Sequence, residues 1–261
     1  MFHMEGWSMR NKVQPNNSII ALKKLWGIIH WSLIRHKYLI PTFSIVQGIF
    51  AVAIICGMAL LIPEIDEVTA VYLSSGALTL DIIAIGCVLA PQIVNESKQN
   101  GVFNYQKTLP VSRSIILLSD IIIWGIASLP GILMGCIAAV LRFDVDLQIN
   151  FGSIMIILIS QFSMICIGFC IAYWFPPNMM ALATQVIMIG GLLFSPITYP
   201  AERLPRWTEY IYQILPFVPT SDLIRTSFFG GKEISYYDLF IVLLWGIFAF
   251  LLALCALTKR E

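Results

Sequence analysis

The stretch Asn95-Glu96-Ser97-Lys98-Gln99-Asn100-Gly101-Val102-Phe103-Asn104-Tyr105-Gln106-Lys107-Thr108-Leu109-Pro110-Val111-Ser112-Arg113 decides how this chain is read. Apolar runs long enough to cross a bilayer flank it on both sides. It is therefore a water-exposed turn between two spans. It is also too long and too patterned to be only a hairpin. Two or three helical turns fit after Gly101 and must end at Leu109-Pro110, because proline disfavours helix in the residue before it. The segment reads as a short helix at the membrane face, presented to a cytosolic partner.

Composition supports the membrane reading. Of 261 residues, 58% are hydrophobic and 12% charged, and the mean hydropathy is +0.83. Soluble domains carry roughly 25% charged residues, so most of this chain meets an apolar solvent. A net charge of +1 gives no reason to expect nucleic acid. The six cysteines (Cys56, Cys87, Cys136, Cys166, Cys170, Cys255) all fall inside apolar runs and read as small buried hydrophobes. Residues 1–16 lack the apolar core of a signal peptide and read as an N-terminal cytoplasmic tail.

Outward from the central loop, the fold class is an all-α integral membrane protein. Residues 17–37 carry Ile19, Leu22, Trp26, Ile29 and Leu33 at helical spacing, with Lys24 and Arg35 opposite. They read as an interfacial amphipathic helix on the cytoplasmic leaflet; a helix packed on the bundle with snorkelling lysines is the alternative. A six-helix transmembrane domain follows over residues 38–257. Its spans are residues 38–62, 68–94, 114–141, 151–175, 179–194 and 237–257, with a coupling loop at 95–113. Residues 258–261 form a cytoplasmic tail. Six basic residues precede the first span (Arg10, Lys12, Lys23, Lys24, Arg35, Lys37), and the central loop has Lys98, Lys107 and Arg113. The first outer loop has none, so both termini and the central loop face the cytoplasm.

Residues 195–236 resist that rule, with Arg203, Arg206, Arg225 and Lys232 on the outer side. This segment also holds Pro196, Pro200, Pro205, Pro216 and Pro219, with the interfacial aromatics Trp207, Tyr210 and Tyr212. Irregular backbone at membrane depth must be shielded by protein or face a wet cavity. A re-entrant outer hairpin between spans five and six is the expectation; a plain surface loop is the alternative.

No catalytic constellation is found, and no metal site. His3, His30 and His36 all precede the first span, and Gly230-Gly231-Lys232-Glu233 is not a phosphate loop. If ATP drives this protein, another chain binds it. Two carboxylates lie within spans, where ionisable groups are functional candidates. Asp81 falls midway along the second span, with a transport role and a structural hydrogen bond both open. Asp120, near the start of the third, is expected in a salt bridge near the headgroups. Gly131, Gly135 and Ala139 form a small-residue ridge beside Pro130, which suits close helix packing within or between subunits.

The residues resemble a family, the permease subunits of type-two ATP-binding-cassette exporters. Gly101 followed nine residues on by Pro110-Val111-Ser112-Arg113 matches its proximal pattern. Ser195-Pro196-Ile197-Thr198-Tyr199-Pro200, Leu204-Pro205-Arg206-Trp207, Pro216, Asp222, Arg225 and Gly230 match its distal one. Asp120 departs from it, standing where a lysine is usual. The resemblance implies a permease that pairs with a second permease subunit, as a homodimer, and binds two cytosolic ATPase subunits that hold ATP and Mg. It implies ATPase coupling through Glu96, Gly101, Phe103, Tyr105, Leu109, Pro110 and Arg113. A substrate path would run between the permeases beside spans one, two and five, where Gln47, Asp81 and Gln185 are the candidates. Pro196, Tyr199, Pro200, Pro205, Trp207, Pro216 and Arg225 would shape the outer re-entrant segment.

The expectation is therefore a permease exporting an amphipathic drug, antibiotic or lipid-like molecule across a prokaryotic plasma membrane. Export of a lipid-linked polysaccharide is the alternative within the class. An ion-coupled secondary transporter using Asp81 is the alternative outside it, and a membrane-embedded enzyme would need a constellation that is absent.

Overall fold

The computed structural model describes residues 17–62, 65–193, 195–199, 212–230 and 233–258. Among these every regular element is helical. The helices are α1 (Asn17–Arg35), α2 (Leu39–Leu61), α3 (Glu67–Ile83), α4 (Ala90–Gln99), α5 (Val102–Thr108), α6 (Arg113–Phe143), α7 (Phe151–Trp174), α8 (Pro177–Leu193), α9 (Phe217–Phe229) and α10 (Tyr236–Thr258). A π-helical segment, Ala84–Leu89, joins α3 to α4 in one continuous rod. That rod, with α2, α6, α7 and α10, makes five helices long and apolar enough to cross a membrane. The expected fifth span is α8. Its 17 residues reach only about 26 Å at 1.5 Å each, short of a hydrocarbon core of roughly 30 Å.

The interior is mainly apolar but admits many small hydroxyl side chains, and the outer surface is apolar too. Buried side chains include Ser74, Ser75, Thr79, Ser119, Ser128 and Ser163, whereas Ile49, Leu133, Leu182, Val186 and Leu251 face outward. Lipid is as apolar as leucine, so close packing and internal hydrogen bonds hold such helices together. Most buried hydroxyls are satisfied locally, as Thr79 donating to the Ser75 carbonyl (2.8 Å) and Ser119 to that of Ile116 (2.7 Å). Others bridge helices: Ser163 Oγ donates to the Val242 carbonyl (2.9 Å), tying α7 to α10.

The π segment has a local cause. Pro91 has no N–H, so the Cys87 carbonyl lacks its α-helical donor. The turn widens, and the Ala90 N–H reaches the Ile85 carbonyl instead. The widened turn crosses α7 at its closest point, since a Cβ on Gly168 would overlap the Gly86 carbonyl and one on Gly86 would strike Met164. Only glycine on both sides permits this crossing.

The ridge in α6 is internal to the subunit. Gly131 abuts Asp81 and Gln47, Gly135 abuts Leu78 and Ala51, and Ala139 is fully buried. At α1 the expected stripe divides. Ile29 is buried with Ile28, Ser32 and His36, whereas Leu22 and Trp26 are exposed. α1 packs on α6 and keeps a second apolar face free. With one face on α6 and Leu22 and Trp26 exposed on another, one apolar stripe does not describe α1.

Candidate functional site

The site is built around α5. Gly101 sits before it with φ 74°, the left-handed region where glycine carries no steric cost. That reversal separates α4 from α5. α5 ends where Leu109 turns extended (ψ 141°) before Pro110. Asn95 to Gln99, read from sequence as loop, instead continue α4. The reason lies in Lys98, whose Nζ donates to the carbonyls of Ala172 (2.7 Å) and Tyr173 (3.3 Å) at the end of α7. A lysine ammonium there satisfies carbonyls that have no donor in their own helix and complements the helix dipole.

α5 has two unlike faces. Phe103 is half-buried, its ring 5.8 Å from that of Tyr173, and Lys98 Nζ lies 5.8 Å and 5.4 Å from those two rings. Gln106 is buried, and its carbonyl accepts from Arg113 Nη1 (3.4 Å) at the start of α6. Asn104, Tyr105 and Thr108 are exposed, as are Glu96 and Pro110, while Leu109 is half-buried. Tyr105 also touches α1, its ring 6.3 Å from Trp31, and Lys24 Nζ donates to the Pro110 carbonyl (3.0 Å). So α5 is clamped to α7 on one side and braced by α1 on the other. Phe103 and Tyr105, grouped by sequence as one contact surface, therefore do different work. Sequence reading missed Lys98, Tyr173, Trp31 and Gln106 because each acts through a partner on another helix.

Behind α5 lies a small cavity lined by Arg35, His36, Phe103, Gln106, Asp120 and Tyr173. The salt bridge expected of Asp120 takes a looser form. Arg35 faces it across the cavity and is attracted to it, but the Arg35 Nε and Nη1 atoms have no hydrogen-bond partner. The arginine instead lies over the Trp31 ring at 4.7 Å. Burial pushes the His36 imidazole down to about 4, helped by the neighbouring Arg35 charge and opposed by its hydrogen bond to the Ser32 carbonyl. His36 is neutral at pH 7.

In the proposed substrate path, Gln47 and Asp81 come together: Gln47 Nε2 donates to the Asp81 backbone carbonyl (3.1 Å), and both residues are buried. Gln185 is exposed on α8 and does not share that buried slot. Beside the pair runs an apolar groove of about 840 Å³ between α2 and α6, lined by Ser44, Gly48, Val52, Cys56, Pro130 and Met134 among others.

α9 packs on α3, α7 and α10 and is 13 residues long, about 20 Å at 1.5 Å per residue, too short to span. Arg225 fixes it. Its Nε donates to Ser75 Oγ (3.1 Å) on α3 and its Nη2 to the Ile197 carbonyl (3.1 Å) and Ser221 Oγ (3.1 Å). It is paired with Asp222 and stacks on Tyr72 at 3.7 Å. Arg225 is thus consumed by internal bonds. Pro196 and Pro216 are buried and Tyr199 half-buried. Pro200, Pro205 and Trp207 lie outside the described residues, and with them the tip of the expected hairpin. No group of three or more potential metal ligands occurs among the described residues.

The model of one family, described as ABC-2 type transporter, matches residues 22–229, well over half of the chain. A comparison with curated proteins found no match.

Proposed function

Since the chain belongs to the ABC-2 type transporter family, the permease components of type-2 ABC transporters, we propose that it is the membrane permease of an ATP-driven exporter. Its cargo is an amphipathic drug, antibiotic or lipid-like molecule, taken from the cytoplasm or the inner leaflet. Two copies pair in a prokaryotic inner membrane with both termini in the cytoplasm, and two cytosolic ATPase subunits carrying ATP and Mg dock beneath them. The ATPases seat on residues 96–113.

The observation that carries this reading is the two-faced α5. Its inner face is fastened to α7 through Phe103 and Lys98. Its outer face offers Asn104, Tyr105 and Thr108 to a partner. A helix held this way moves as one body with α4, α6 and α7, so a push from below reaches the spans. Different affinity of the ATPases for two permease arrangements would supply the driving difference. The α2–α6 groove supports this substrate class: an apolar trough suits an acyl or aromatic body and offers little to a charged solute.

Gentle solubilisation of native membrane tests the partner. A soluble subunit with a phosphate loop should co-purify with this chain. Recovery of the chain alone under conditions that preserve other such complexes would count against the reading.

A further inference from the structure

Asp81 is the least comfortable group in the bundle. It is 0% exposed, and neither carboxyl oxygen has a hydrogen-bond partner. Gln47, the polar side chain beside it, gives its N–H to the Asp81 backbone rather than to the carboxyl group. Oδ2 is turned into the gap left by Gly131, so tightly that a Cβ at 131 would overlap it.

Among the described residues no cation answers it. α3 packs against α2, α6, α7, α8, α9 and the π segment. α2, α7, α8 and the π segment carry no Lys, Arg or His, and their titratable groups are Cys56, Cys87, Cys166, Cys170 and Tyr173. On α9, Arg225 is engaged by Asp222, Ser75, Ser221 and Ile197; Ser75 precedes Asp81 by six residues, about 9 Å of helix rise. On α6, Cys136 is buried five residues from Gly131 and carries no positive charge; Asp120 and Arg142 each lie eleven residues from Gly131, about 16 Å away along the axis. An ionised carboxylate without a donor or counter-charge is the costliest state such a site can hold. The carboxylic acid is far cheaper.

We propose that Asp81 is an intramembrane proton-binding site, loaded in this arrangement and unloaded when the α2–α6 seam opens. The route for the proton is short. Ser44, Gly48, Pro130 and Met134 line the open groove, and they bracket Gln47 and Gly131, the two residues that cover the Asp81 side chain. The carboxyl group thus sits one side chain behind the groove wall. Parting α2 from α6 admits water, which accepts the proton and solvates the carboxylate; closing the seam requires the proton to return. The π segment begins three residues after Asp81 and leads through α4 to α5, and π turns often accompany functional sites. Proton binding at Asp81 stands without the transport reading; only its link to α5 rests on it.

Infrared spectroscopy of the full chain in lipid nanodiscs tests the site. Wild type at pH 7 should show a protonated carboxylic carbonyl band that is lost in Asp81→Asn, while the melting temperature of the variant is unchanged. Gly131→Ala, which drives a methyl group against Oδ2, should shift that band without removing it. Identical carbonyl spectra for wild type and Asp81→Asn would overturn the proposal. So would failure of the uncharged Asn variant to assemble, or a sodium- or potassium-dependent rise in melting temperature that Asp81→Asn abolishes. Each result is read without an ATPase subunit, so it stands apart from the co-purification outcome.

Discussion

Phe103→Ala and Tyr105→Ala should fail in opposite ways. Phe103 anchors α5: its half-buried ring packs on Tyr173 and receives Lys98 Nζ on its face. Truncating it removes an aromatic pair of about 0.5–1.5 kcal/mol and part of the roughly 1.5–3 kcal/mol of a buried Phe side chain. A loss of about 2 kcal/mol at this joint raises the undocked population of α5 about thirtyfold. Tyr105 is 57% exposed, and its truncation leaves the clamp to α7 intact. Hydrogen exchange at 102–108 in the isolated permease should therefore speed up by more than tenfold in Phe103→Ala and less than threefold in Tyr105→Ala. ATPase binding should show the reverse order per unit of destabilisation, with Tyr105→Ala weakening association while its spans stay native. Equal exchange in the two variants would refute the two-faced reading. So would full ATPase affinity and substrate-stimulated hydrolysis in Tyr105→Ala.

Gly168→Ala places a methyl group on the Gly86 carbonyl; overpacking of this kind costs about 1–3 kcal/mol or more, visible as a lower melting temperature, whereas Gly57→Ala, with open space at its Cβ, should be neutral. Arg225→Met strips α9 of its bonds to Ser75, Ile197 and Ser221; losing charge-assisted hydrogen bonds of this kind costs about 1.5–3 kcal/mol, read as early proteolysis near 217–229. His36 gives a pH dependence. Its value when α1 is docked is about 4 against 6.5 ordinarily, so the undocked state binds more protons between those limits and docking weakens as pH falls through that window. The full effect is at most about 3.4 kcal/mol, and protease sensitivity of α1 should rise from pH 7 to pH 4.5 in wild type but stay flat in His36→Gln.

Hydropathy made five of the six expected spans legible, because a bilayer imposes length and composition on each helix by itself; the expected fifth, α8, falls short of that length. The end of α5 at Leu109-Pro110 and the turn at Gly101 were legible for the same reason, being written in local backbone chemistry. What the sequence hid depends on partners. The polar run Asn95 to Gln99 is helical because Lys98 reaches the end of α7, a contact no periodicity reveals. Ile28 and Ser32 of α1 face the protein, yet hydrophobicity alone favoured Leu22 and Trp26, which serve its outer side. The roles of Phe103 and Tyr105 separate only when Tyr173 and Trp31 are placed. Asp81 could be recognised as buried, but the lack of any donor around it is a property of six packed segments together.

Under the proposed function, transport needs a separate ATPase subunit that acts on the spans through α5. Purified permease in proteoliposomes, with and without its ATPase subunit, tests it most directly. Uptake of an amphipathic fluorescent substrate should require both the ATPase and hydrolysable ATP, and should vanish when either is omitted. Sustained transport by the permease alone, without nucleotide, would contradict the claim.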